Sequence, residues 1–320
     1  MRNDNADGEL KVGVIGVGSL GQWHARIYSE LESADLVGVH DTDAERSKEI
    51  AERYGTRAFS RMEELAEAVD AASVVVPTDR HAAVFATLAE YGLHMLVEKP
   101  IASSLEEAER MVATAREKDL VLQVGHVERF NPVMQFLEDN LTQPRFVEAT
   151  RLSPYPPPRE NALPRGTEVS VVLDLMIHDI EIILHLVRSP VRDIRAVGIP
   201  VLSPTEDIAN VRLSFENRCV ANVTASRVSR DRIRKIRVFQ EDTYVSLDYM
   251  NQAGVLCRKA DGTIVTENVP IDKAEPLAAE LASFVHCVQT RRSPLVSGRH
   301  GSEALGLALA ICRTIRTNPS

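Results

Sequence analysis

The sequence predicts an α/β protein with two domains: an N-terminal doubly wound parallel sheet, and a C-terminal α/β domain with a large, mostly antiparallel sheet. The chain has 320 residues, which is room for two domains of ordinary size. Short β-branched runs alternate with helix-patterned segments from Leu10 to about Val124, as in sheets whose parallel strands are joined by helices. Beyond Phe130 strand-like runs follow one another directly, so the predicted domains are residues 1–124 and 125–320.

The elements of the first domain follow from apolar β-branched runs and from helix caps. Several predicted helices open at an Asp, Ser or Thr that can cap them. The predicted strands are Lys11–Ile15, Asp35–His40, Ala72–Val76, His94–Val97 and Val121–Val124. The predicted helices are Gly21–Leu31, Asp43–Tyr54, Met62–Ala68, His81–Tyr91 and Ser104–Lys118.

The second domain opens with a proline-rich loop, Ser153–Pro158, and a long apolar helix, Val171–Val187. Alternating apolar residues then predict an antiparallel sheet between Val191 and Val269. Its strands include Ala209–Phe215, Cys219–Ala225, Ile233–Phe239, Tyr244–Leu247 and Ile264–Val269. Two helices, Pro276–Thr290 and Ser302–Thr314, close the chain.

Composition narrows the class of function. The formal net charge is −9, whereas nucleic-acid binding relies on an excess of basic residues. An anionic ligand must therefore meet a local cluster of positive charge. The four cysteines form no C-x-x-C pair, which predicts reduced thiols rather than a zinc site or a disulfide framework. The first apolar run, Val12–Val17, is too short for a signal sequence or a membrane span, so we expect a soluble cytoplasmic protein that binds neither nucleic acid nor membrane.

Three glycines mark a nucleotide site. Gly16, Gly18 and Gly21 form the pattern G-x-G-x-x-G between the first predicted strand and the first predicted helix, with Ser19 and Leu20 inside it. Glycine permits a tight turn and lets the backbone approach a pyrophosphate, whose charge then faces the helix N-terminus. A turn that merely tolerates glycine is the alternative, but the flanking strand and helix favour a dinucleotide site.

Asp41 ends the second predicted strand, about 20 residues after the glycine pattern. A carboxylate there accepts hydrogen bonds from the adenosine ribose hydroxyls and repels a 2′-phosphate, which favours NAD over NADP. The alternative is a strand-end turn that Asp41 forms with Thr42 and Asp43. FAD fits the same pattern, but nothing else in the sequence indicates a flavin.

Polar residues follow the next two predicted strands. Pro77, Thr78 and His81 follow one strand, and Glu98 and Lys99 end the other. Because ligands bind at the carboxyl ends of parallel strands, we expect these residues near the nicotinamide half of the cofactor. Lys99 is placed to hydrogen-bond a reacting alcohol, and the alternative is a surface ion pair with Glu98.

The predicted helix Val171–Val187 carries a polar stripe. Asp174, His178, Glu181 and His185 recur at spacings of four, three and four residues. Asp174 can orient His178 and raise its basicity, although an isolated core histidine is usually structural. For Glu181 and His185 we favour contact with a loop or another subunit. A metal site built from these four residues is a further alternative, but no other ligand spacing supports it.

The combination of these motifs resembles one family. The glycine pattern, Pro77-Thr78-x-x-His81, Glu98-Lys99-Pro100 and Asp174-x-x-x-His178 together resemble the Gfo/Idh/MocA family of NAD(P)-dependent oxidoreductases, over residues 11 to 190. The resemblance implies a Rossmann domain followed by an α/β domain whose large sheet often forms the interface of a homodimer or homotetramer. It also implies that Lys99, Asp174 and His178 are the catalytic residues.

Residues 125–132 and 169–179 are most similar to the branch of that family that oxidises nucleotide-linked amino sugars. This resemblance implies oxidation of the 3-hydroxyl of UDP-N-acetylglucosamine to a 3-keto sugar nucleotide, in the synthesis of lipid A. One segment departs from the family pattern, because residues 167–172 replace a glycine-rich stretch before the Asp-x-x-x-His helix. The departure concerns the shape of the sugar pocket.

Positive charge for an anionic substrate is available in two places. The segment 227–237 contains six basic residues and fits either a diphosphate site or a solvated strand face. Arg129 and Arg165 flank the proposed active site, and we predict that they and Asn131 contact the diphosphate or the sugar. Asp174 and His178 complete the predicted substrate contacts.

The sequence leaves three alternatives open. Lys99 or His178 is the immediate base, because both can belong to one proton relay. An inositol or a free sugar is the alternative substrate within the family. A non-catalytic NAD-binding regulatory protein is the alternative of another class, and the presence of Lys99, Asp174 and His178 argues against it.

Overall fold

The computed structural model describes residues 8–158, 164, 166–260 and 262–317. Within these ranges the chain divides into two compact units. Unit 1 extends to Phe130 and includes Glu275–Ser302, whereas unit 2 comprises Asn131–Ala274 and the residues from Glu303 onward. This division differs from the predicted boundary between residues 124 and 125, because a C-terminal segment of the chain returns to unit 1.

The strands and helices of the described residues are as follows. The strands are β1 (Leu10–Ile15), β2 (Ala34–His40), β3 (Arg57–Ala58), β4 (Ala71–Val74), β5 (His94–Glu98), β6 (Leu122–Gly125), β7 (Phe146–Leu152), β8 (Val191–Ile199), β9 (Ile208–Phe215), β10 (Val220–Ser226), β11 (Ile233–Phe239), β12 (Thr243–Asp248), β13 (Ala253–Ala260) and β14 (Thr263–Asn268). The helices are α1 (Gly21–Glu30), α2 (Ala44–Arg53), α3 (Met62–Ala68), α4 (Thr78–Glu90), α5 (Leu105–Glu117), α6 (Pro132–Asn140), α7 (Ile177–Val187), α8 (Pro276–Thr290) and α9 (Gly298–Thr317).

Unit 1 is built on a parallel sheet of order β3-β2-β1-β4-β5-β6. The order reverses between β1 and β4, which is where ligands bind in doubly wound sheets. Helix α8 packs into the same core as α1 and β1, through Leu281, Phe284 and Val285. The sequence pattern predicted α8 as a helix, but its place in unit 1 depends on this long-range packing.

Helix starts in unit 1 follow the predicted caps. Asp43 accepts the N–H of Arg46 at 3.0 Å at the start of α2, and Ser104 accepts the N–H of Glu107 at 3.2 Å at the start of α5. Helix α4 begins at Thr78, three residues earlier than predicted, because β4 already ends at Val74. The carboxyl end of β4 and the first turn of α4 are therefore closer along the chain than the sequence indicated.

Unit 2 contains the predicted large sheet, of order β14-β13-β12-β11-β7-β10-β9-β8. The pairing of β7 with β10 is parallel and the other described pairings are antiparallel. Strands β7 and β13 and helix α6 were missed by the sequence prediction. Helix α7 and the second half of α9 cover the sheet, and their apolar side chains share one core with it.

The long helix predicted over Val171–Val187 is irregular at its start. Residues Val172–Met176 form a π-helical turn, and the regular helix α7 begins only at Ile177. π-helical turns are rare and often occur at functional sites. Within the described residues, none of the helices combines the length and the apolar character that crossing a membrane requires.

Candidate functional site

The glycine pattern forms the turn between β1 and α1. Gly16 has a φ of +86°, and a Cβ atom there would lie 2.5 Å from the carbonyl oxygen of Val75, so only glycine fits. A Cβ atom on Gly21 would collide with the carbonyl oxygen of Gly16. The Cβ position of Gly18 has no atom within 4 Å, and Gly18 and Ser19 are exposed. The turn therefore leaves its outer side open for the close approach of a pyrophosphate, and the loop fits the predicted dinucleotide.

Asp41 joins the end of β2 to the glycine turn. Its Oδ2 accepts the backbone N–H of Val17 at 2.7 Å, and its Oδ1 accepts the N–H of Asp43 at 3.0 Å. Arg46 supports the same turn, because its Nε donates to the carbonyl of Val17 at 3.0 Å. Asp41 is thus both the strand-end turn residue and an anion held beside the nucleotide loop. The predicted contact with a ribose stays a prediction.

The ring of His81 lies between the segments that follow β4 and β5, and its predicted cofactor contact stays a prediction. His81 is 1% exposed, and its Nδ1 and Nε2 lie 2.9 and 3.0 Å from the carbonyl oxygens of Pro100 and Val76. Burial lowers the pKa of His81 against the effect of these hydrogen bonds, and a neutral ring donates to one of the two carbonyls at a time. His81 therefore holds the segment before Thr78 against the turn after Lys99. Pro77 and Thr78 lie at the start of α4, and their contact with the cofactor stays a prediction.

Glu98 is buried in unit 1 rather than placed on its surface. The residue is 7% exposed, and its Oε2 accepts the backbone N–H of Lys99 at 3.2 Å. A Cβ atom on Gly125 would lie 2.8 Å from the Glu98 carboxyl carbon, so the carboxylate rests on the backbone of the neighbouring strand. Lys99 itself is half-buried at the end of β5. The carboxylate of Glu98 thus holds the backbone of Lys99.

A buried polar cluster that the sequence prediction missed lies behind Glu98. Nδ1 of His24 lies 3.1 Å from Oγ of Ser73, which in turn lies 2.9 Å from the hydroxyl of Tyr28. The carboxyl group of Glu280, on α8, is fully buried, and neither of its oxygens has a hydrogen-bond partner among the described residues. Burial, and then the negative charge of Glu98, raise the pKa of Glu280 well above its ordinary value. Burial therefore favours the neutral, protonated form of Glu280.

His126 is a second buried group that the sequence prediction did not single out. Burial is the largest cause that lowers its pKa, to about 3, and the positive charges of Lys99, Arg129 and His300 lower it further. An imidazole that stays neutral beside a lysine can accept a hydrogen bond without adding positive charge to the site. Arg129 lies in a 3₁₀ turn and is almost fully buried, and its contact with a substrate stays a prediction.

In unit 2, Asp174 lies within the π-helical turn and is half-buried. The backbone of Gly166 lies against it, because a Cβ atom on Gly166 would sit 2.5 Å from Oδ2 of Asp174. Gly166 has a φ of +83°, a conformation that favours glycine. The backbone beside the predicted catalytic aspartate therefore depends on glycine, one residue before the segment 167–172.

His178 is half-buried near the start of α7, and the residue after it anchors that helix. Nε of Arg151, on β7, lies 2.8 Å from Oδ2 of Asp179, and both side chains are buried. Glu181 is also buried. Nε2 of His185 lies 2.7 Å from Oε1 of Glu138 on α6 of the same unit, and the predicted contact of Glu181 and His185 with a loop or another subunit stays a prediction. In the described ranges no three His, Cys, Asp or Glu side chains gather as metal ligands.

The residues predicted to contact an anionic substrate differ in their burial and in the partners of their side chains. Asn131 is buried, where it caps α6 by accepting the N–H of Val133 at 3.3 Å and donates to the carbonyl of Tyr249 at 3.0 Å. Both ends of its amide hold the fold, and its predicted substrate contact stays a prediction. Arg165 lies outside the described residues. In the basic segment 227–237, Arg227 is buried and paired with Asp207, whereas Arg230, Arg232 and Arg234 are exposed, as are Lys235 and Arg237.

The structure thus assigns the predicted residues to two separate groups. Unit 1 holds the glycine turn, Asp41, Thr78 and Lys99, and unit 2 holds Asp174 and His178. The first group can hold an anionic nucleotide and present a cation, and the second offers a carboxylate beside an imidazole. A cation or an imidazole that contacts a hydroxyl can take part in moving its proton.

Family models match both parts of the chain. The model described as the oxidoreductase family with an NAD-binding Rossmann fold matches residues 10–126. The model described as the GFO/IDH/MocA C-terminal domain matches residues 137–245. Together they include the glycine turn, Lys99, Asp174 and His178.

Curated proteins and solved structures extend the similarity over nearly the whole chain. The chain is 36% identical to UDP-N-acetylglucosamine 3-dehydrogenase of Acidithiobacillus ferrooxidans, over 94% of this chain and 96% of that protein. It is 26% identical to myo-inositol 2-dehydrogenase of Thermotoga maritima, over 97% and 98%. A solved structure of the Acidithiobacillus enzyme matches with a TM-score of 0.91 and 35% identity, over 97% and 98%. Levoglucosan dehydrogenase in complex with NADH and levoglucosan matches with a TM-score of 0.87 at 18% identity, over 97% and 98%, which shows a shared fold.

Proposed function

Because the chain belongs to the Gfo/Idh/MocA oxidoreductase family, we propose that it oxidises the 3-hydroxyl of UDP-N-acetylglucosamine to a ketone. The chain is an NAD-dependent dehydrogenase, and bound NAD⁺ supplies the acceptor for the hydride that leaves the sugar carbon. The products are a 3-keto sugar nucleotide, NADH and a proton. The observation that carries this substrate is the similarity to the Acidithiobacillus enzyme, which extends through the C-terminal family domain as well as the first.

The cofactor is proposed to bind to residues of unit 1. The open turn of Gly16, Gly18 and Gly21 takes the pyrophosphate on backbone N–H groups at the start of α1. Asp41 accepts the ribose hydroxyls, because its carboxylate is fixed beside that turn. Thr78, at the first turn of α4, is proposed to lie near the nicotinamide half.

The hydroxyl proton is proposed to pass to His178 or Lys99. His178 acts as a neutral imidazole, oriented by Asp174. Lys99 donates a hydrogen bond to the hydroxyl oxygen and stabilises negative charge as it develops there. The residue that takes the proton must release it to water before the next turnover.

The wider assignment follows from the same resemblance. We propose that the protein works in the cytoplasm as a homodimer or homotetramer assembled through the large sheet of unit 2. The keto product fits a following transamination, which places the reaction in the synthesis of the 3-amino sugar of lipid A. Sedimentation of the purified protein tests the oligomer directly.

An inositol is the second candidate substrate, because the chain also matches an inositol dehydrogenase along nearly its full length. The two candidate substrates differ in that UDP-N-acetylglucosamine carries a diphosphate and an inositol does not. The test is the formation of reduced nicotinamide by the purified protein with UDP-N-acetylglucosamine, other UDP-sugars, free sugars and inositols. Turnover of UDP-N-acetylglucosamine alone supports the proposal, and preferential turnover of an inositol contradicts it.

The proposed roles of Lys99 and His178 have their own test. Lys99→Ala and His178→Ala are each expected to lower kcat by about 100-fold to 10,000-fold, the range for loss of a proton-transfer group. The dissociation constant for NADH, measured by fluorescence, separates loss of catalysis from loss of cofactor binding. Full turnover by both variants would show that neither residue handles the proton.

A further inference from the structure

Arg227 is a buried arginine directly after β10, and it forms an ion pair with Asp207. The side chains are 3% and 0% exposed, and Nε of Arg227 lies 2.7 Å from Oδ1 of Asp207. The other oxygen of Asp207 accepts the backbone N–H groups of Val201, Leu202 and Ser203 at 2.7, 2.6 and 2.9 Å. Burial alone would raise the pKa of Asp207, but the hydrogen bonds from Ser203, Arg227 and the backbone hold it well below its usual range. Asp207 is a fixed anion that anchors the guanidinium.

Nη1 of the guanidinium binds the segment of residues 166–169, and Nη2 binds Ser203, Thr205 and Glu206. Nη1 of Arg227 donates to the carbonyl oxygens of Gly166 and Val169 at 2.5 and 2.8 Å. Nη2 donates to the hydroxyl of Thr205 at 2.8 Å, and that hydroxyl donates to the carbonyl of Val169 at 2.8 Å. Arg227 therefore holds both ends of the segment, directly and through Thr205.

The held segment lies against Asp174. The position of a Cβ atom on Gly166 is 2.5 Å from Oδ2 and 2.9 Å from Cγ of Asp174, so the Gly166 backbone forms a wall beside the carboxylate. Asp174 is half-buried, and a wall at this distance restricts the rotamers that its side chain can adopt. The carboxylate position thus depends on where the guanidinium holds the Gly166 carbonyl.

We propose that Arg227, anchored by Asp207, is a positioning residue that fixes the carboxylate of Asp174 through residues 166–169. This inference rests on the proposed function, in which Asp174 orients His178. A buried ion pair is in general a weak source of stability compared with well-packed apolar residues. Its presence here, with Nη1 donating to the Gly166 carbonyl beside Asp174, is accounted for by the demand for precise placement.

Three substitutions test the proposal from different sides. Arg227→Lys keeps the charge but loses the planar set of donors. Thr205→Val removes the hydroxyl link to Val169 and keeps the side-chain shape. Gly166→Ala places a methyl group against Asp174. We expect kcat to fall by about 10-fold to 100-fold in Arg227→Lys and Gly166→Ala, and by less in Thr205→Val, with an unchanged dissociation constant for NADH.

Two control variants separate positioning from general damage. Val238→Ala removes apolar contacts from the core of β11 and is expected to destabilise unit 2 without changing kcat. Arg195→Lys makes the same chemical change at an exposed ion pair on β8 and is expected to change nothing. The pH profile of kcat is recorded for every variant, and its acidic limb is expected to move only in the three test variants.

Spectra of the protein with ¹³C-labelled histidine supply a readout that needs no substrate. The ring signal of His178, assigned with His178→Ala, is expected to shift in Arg227→Lys and Thr205→Val and to stay in place in Val238→Ala. Unchanged kcat, pH profile and His178 signal in the test variants overturn the inference. If Arg227→Lys does not fold, Thr205→Val and Gly166→Ala decide the question. A wild-type protein that oxidises no sugar overturns the proposed function instead, while the His178 spectra still decide the positioning role.

Discussion

Nε2 of His24 lies 3.3 Å from Oε1 of Glu98, and this contact links helix α1 to the residue that precedes Lys99. The other carboxylate oxygen of Glu98 accepts the backbone N–H of Lys99 at 3.2 Å. Helix α1 starts at Gly21, the last glycine of the nucleotide turn. The backbone at Lys99 and the nucleotide turn are therefore both supported by one helix within unit 1.

The first prediction concerns His24. His24→Leu removes both ring nitrogens and leaves Glu98 and Ser73 without these partners in a buried place, so the free energy of unfolding should fall by about 1–3 kcal/mol. Urea unfolding followed by the fluorescence of Trp23, the single tryptophan, measures the loss in unit 1. His286→Gln, at an exposed position of α8, is the control. An equal stability for wild type and His24→Leu would contradict the buried contact.

The second prediction concerns the pH dependence of stability through Glu280. The unfolded chain ionises near the ordinary pKa of 4.5, while the folded protein keeps the proton to higher pH. Stability is therefore lost as the pH rises from that value toward the raised pKa of the folded state. Glu280→Gln cannot ionise, so its stability relative to wild type should grow with pH, by up to about 1.4 kcal/mol per pH unit. Urea unfolding at about pH 5 and about pH 8 tests this.

The control for Glu280 is Glu90→Gln, at an exposed position of α4. It makes the same chemical change outside the core, at an exposed ion pair with Lys118, and is measured at both pH values. A Glu280→Gln variant that gains no relative stability at the higher pH would mean that Glu280 is already ionised in the folded protein.

The third prediction concerns His126. Because burial and the nearby positive charges lower its pKa to about 3, its ring should stay neutral between about pH 5 and about pH 8. The unfolded chain takes up a proton in that range, so His126 makes the fold lose stability as the pH falls below its ordinary pKa. Histidine NMR signals measure the titration, with exposed His286 as the internal reference. A midpoint for His126 close to that of His286 would contradict its burial beside Lys99.

The fourth prediction concerns the choice between NAD and NADP. Asp41→Asn keeps an oxygen that can accept the N–H of Val17 but removes the negative charge that repels a 2′-phosphate. The kcat/KM for NADP should rise by about 10-fold, equal to about 1.4 kcal/mol, and that for NAD should fall. Steady-state kinetics with both cofactors give the ratio. An unchanged ratio would mean that Asp41 serves only the turn with Asp43.

Features that depend on local spacing were predictable from the sequence. The pattern G-x-G-x-x-G between a strand and a helix predicts a tight turn, and the structure has that turn at Gly16 and Gly21. Strand ends also follow from local pattern, which placed Asp41 and Lys99 at the carboxyl edge of the parallel sheet. The fold class is confirmed, because both the parallel order of unit 1 and the mostly antiparallel order of unit 2 are present.

Features that depend on distant packing were not predictable. Glu280 is one acid among many in the sequence, and only the return of α8 to unit 1 places it in the interior near Glu98. Arg227 begins a basic segment whose later basic residues are exposed, yet its own side chain turns inward to Asp207. The apolar pattern of residues 171–187 indicates a helix, but it does not reveal a π-helical turn at Asp174. In each case the deciding partner is far away in the sequence.

The transfer of a specific hydrogen atom tests the central claim most directly. The purified protein is incubated with NAD⁺ and UDP-N-acetylglucosamine that carries deuterium at C3, and the reduced cofactor is analysed by mass spectrometry. The proposed reaction predicts NADH with one deuterium, a keto sugar nucleotide without it, and slower turnover than with the unlabelled substrate. Reduced cofactor without deuterium, or no reduced cofactor at all, would contradict oxidation at the 3-hydroxyl.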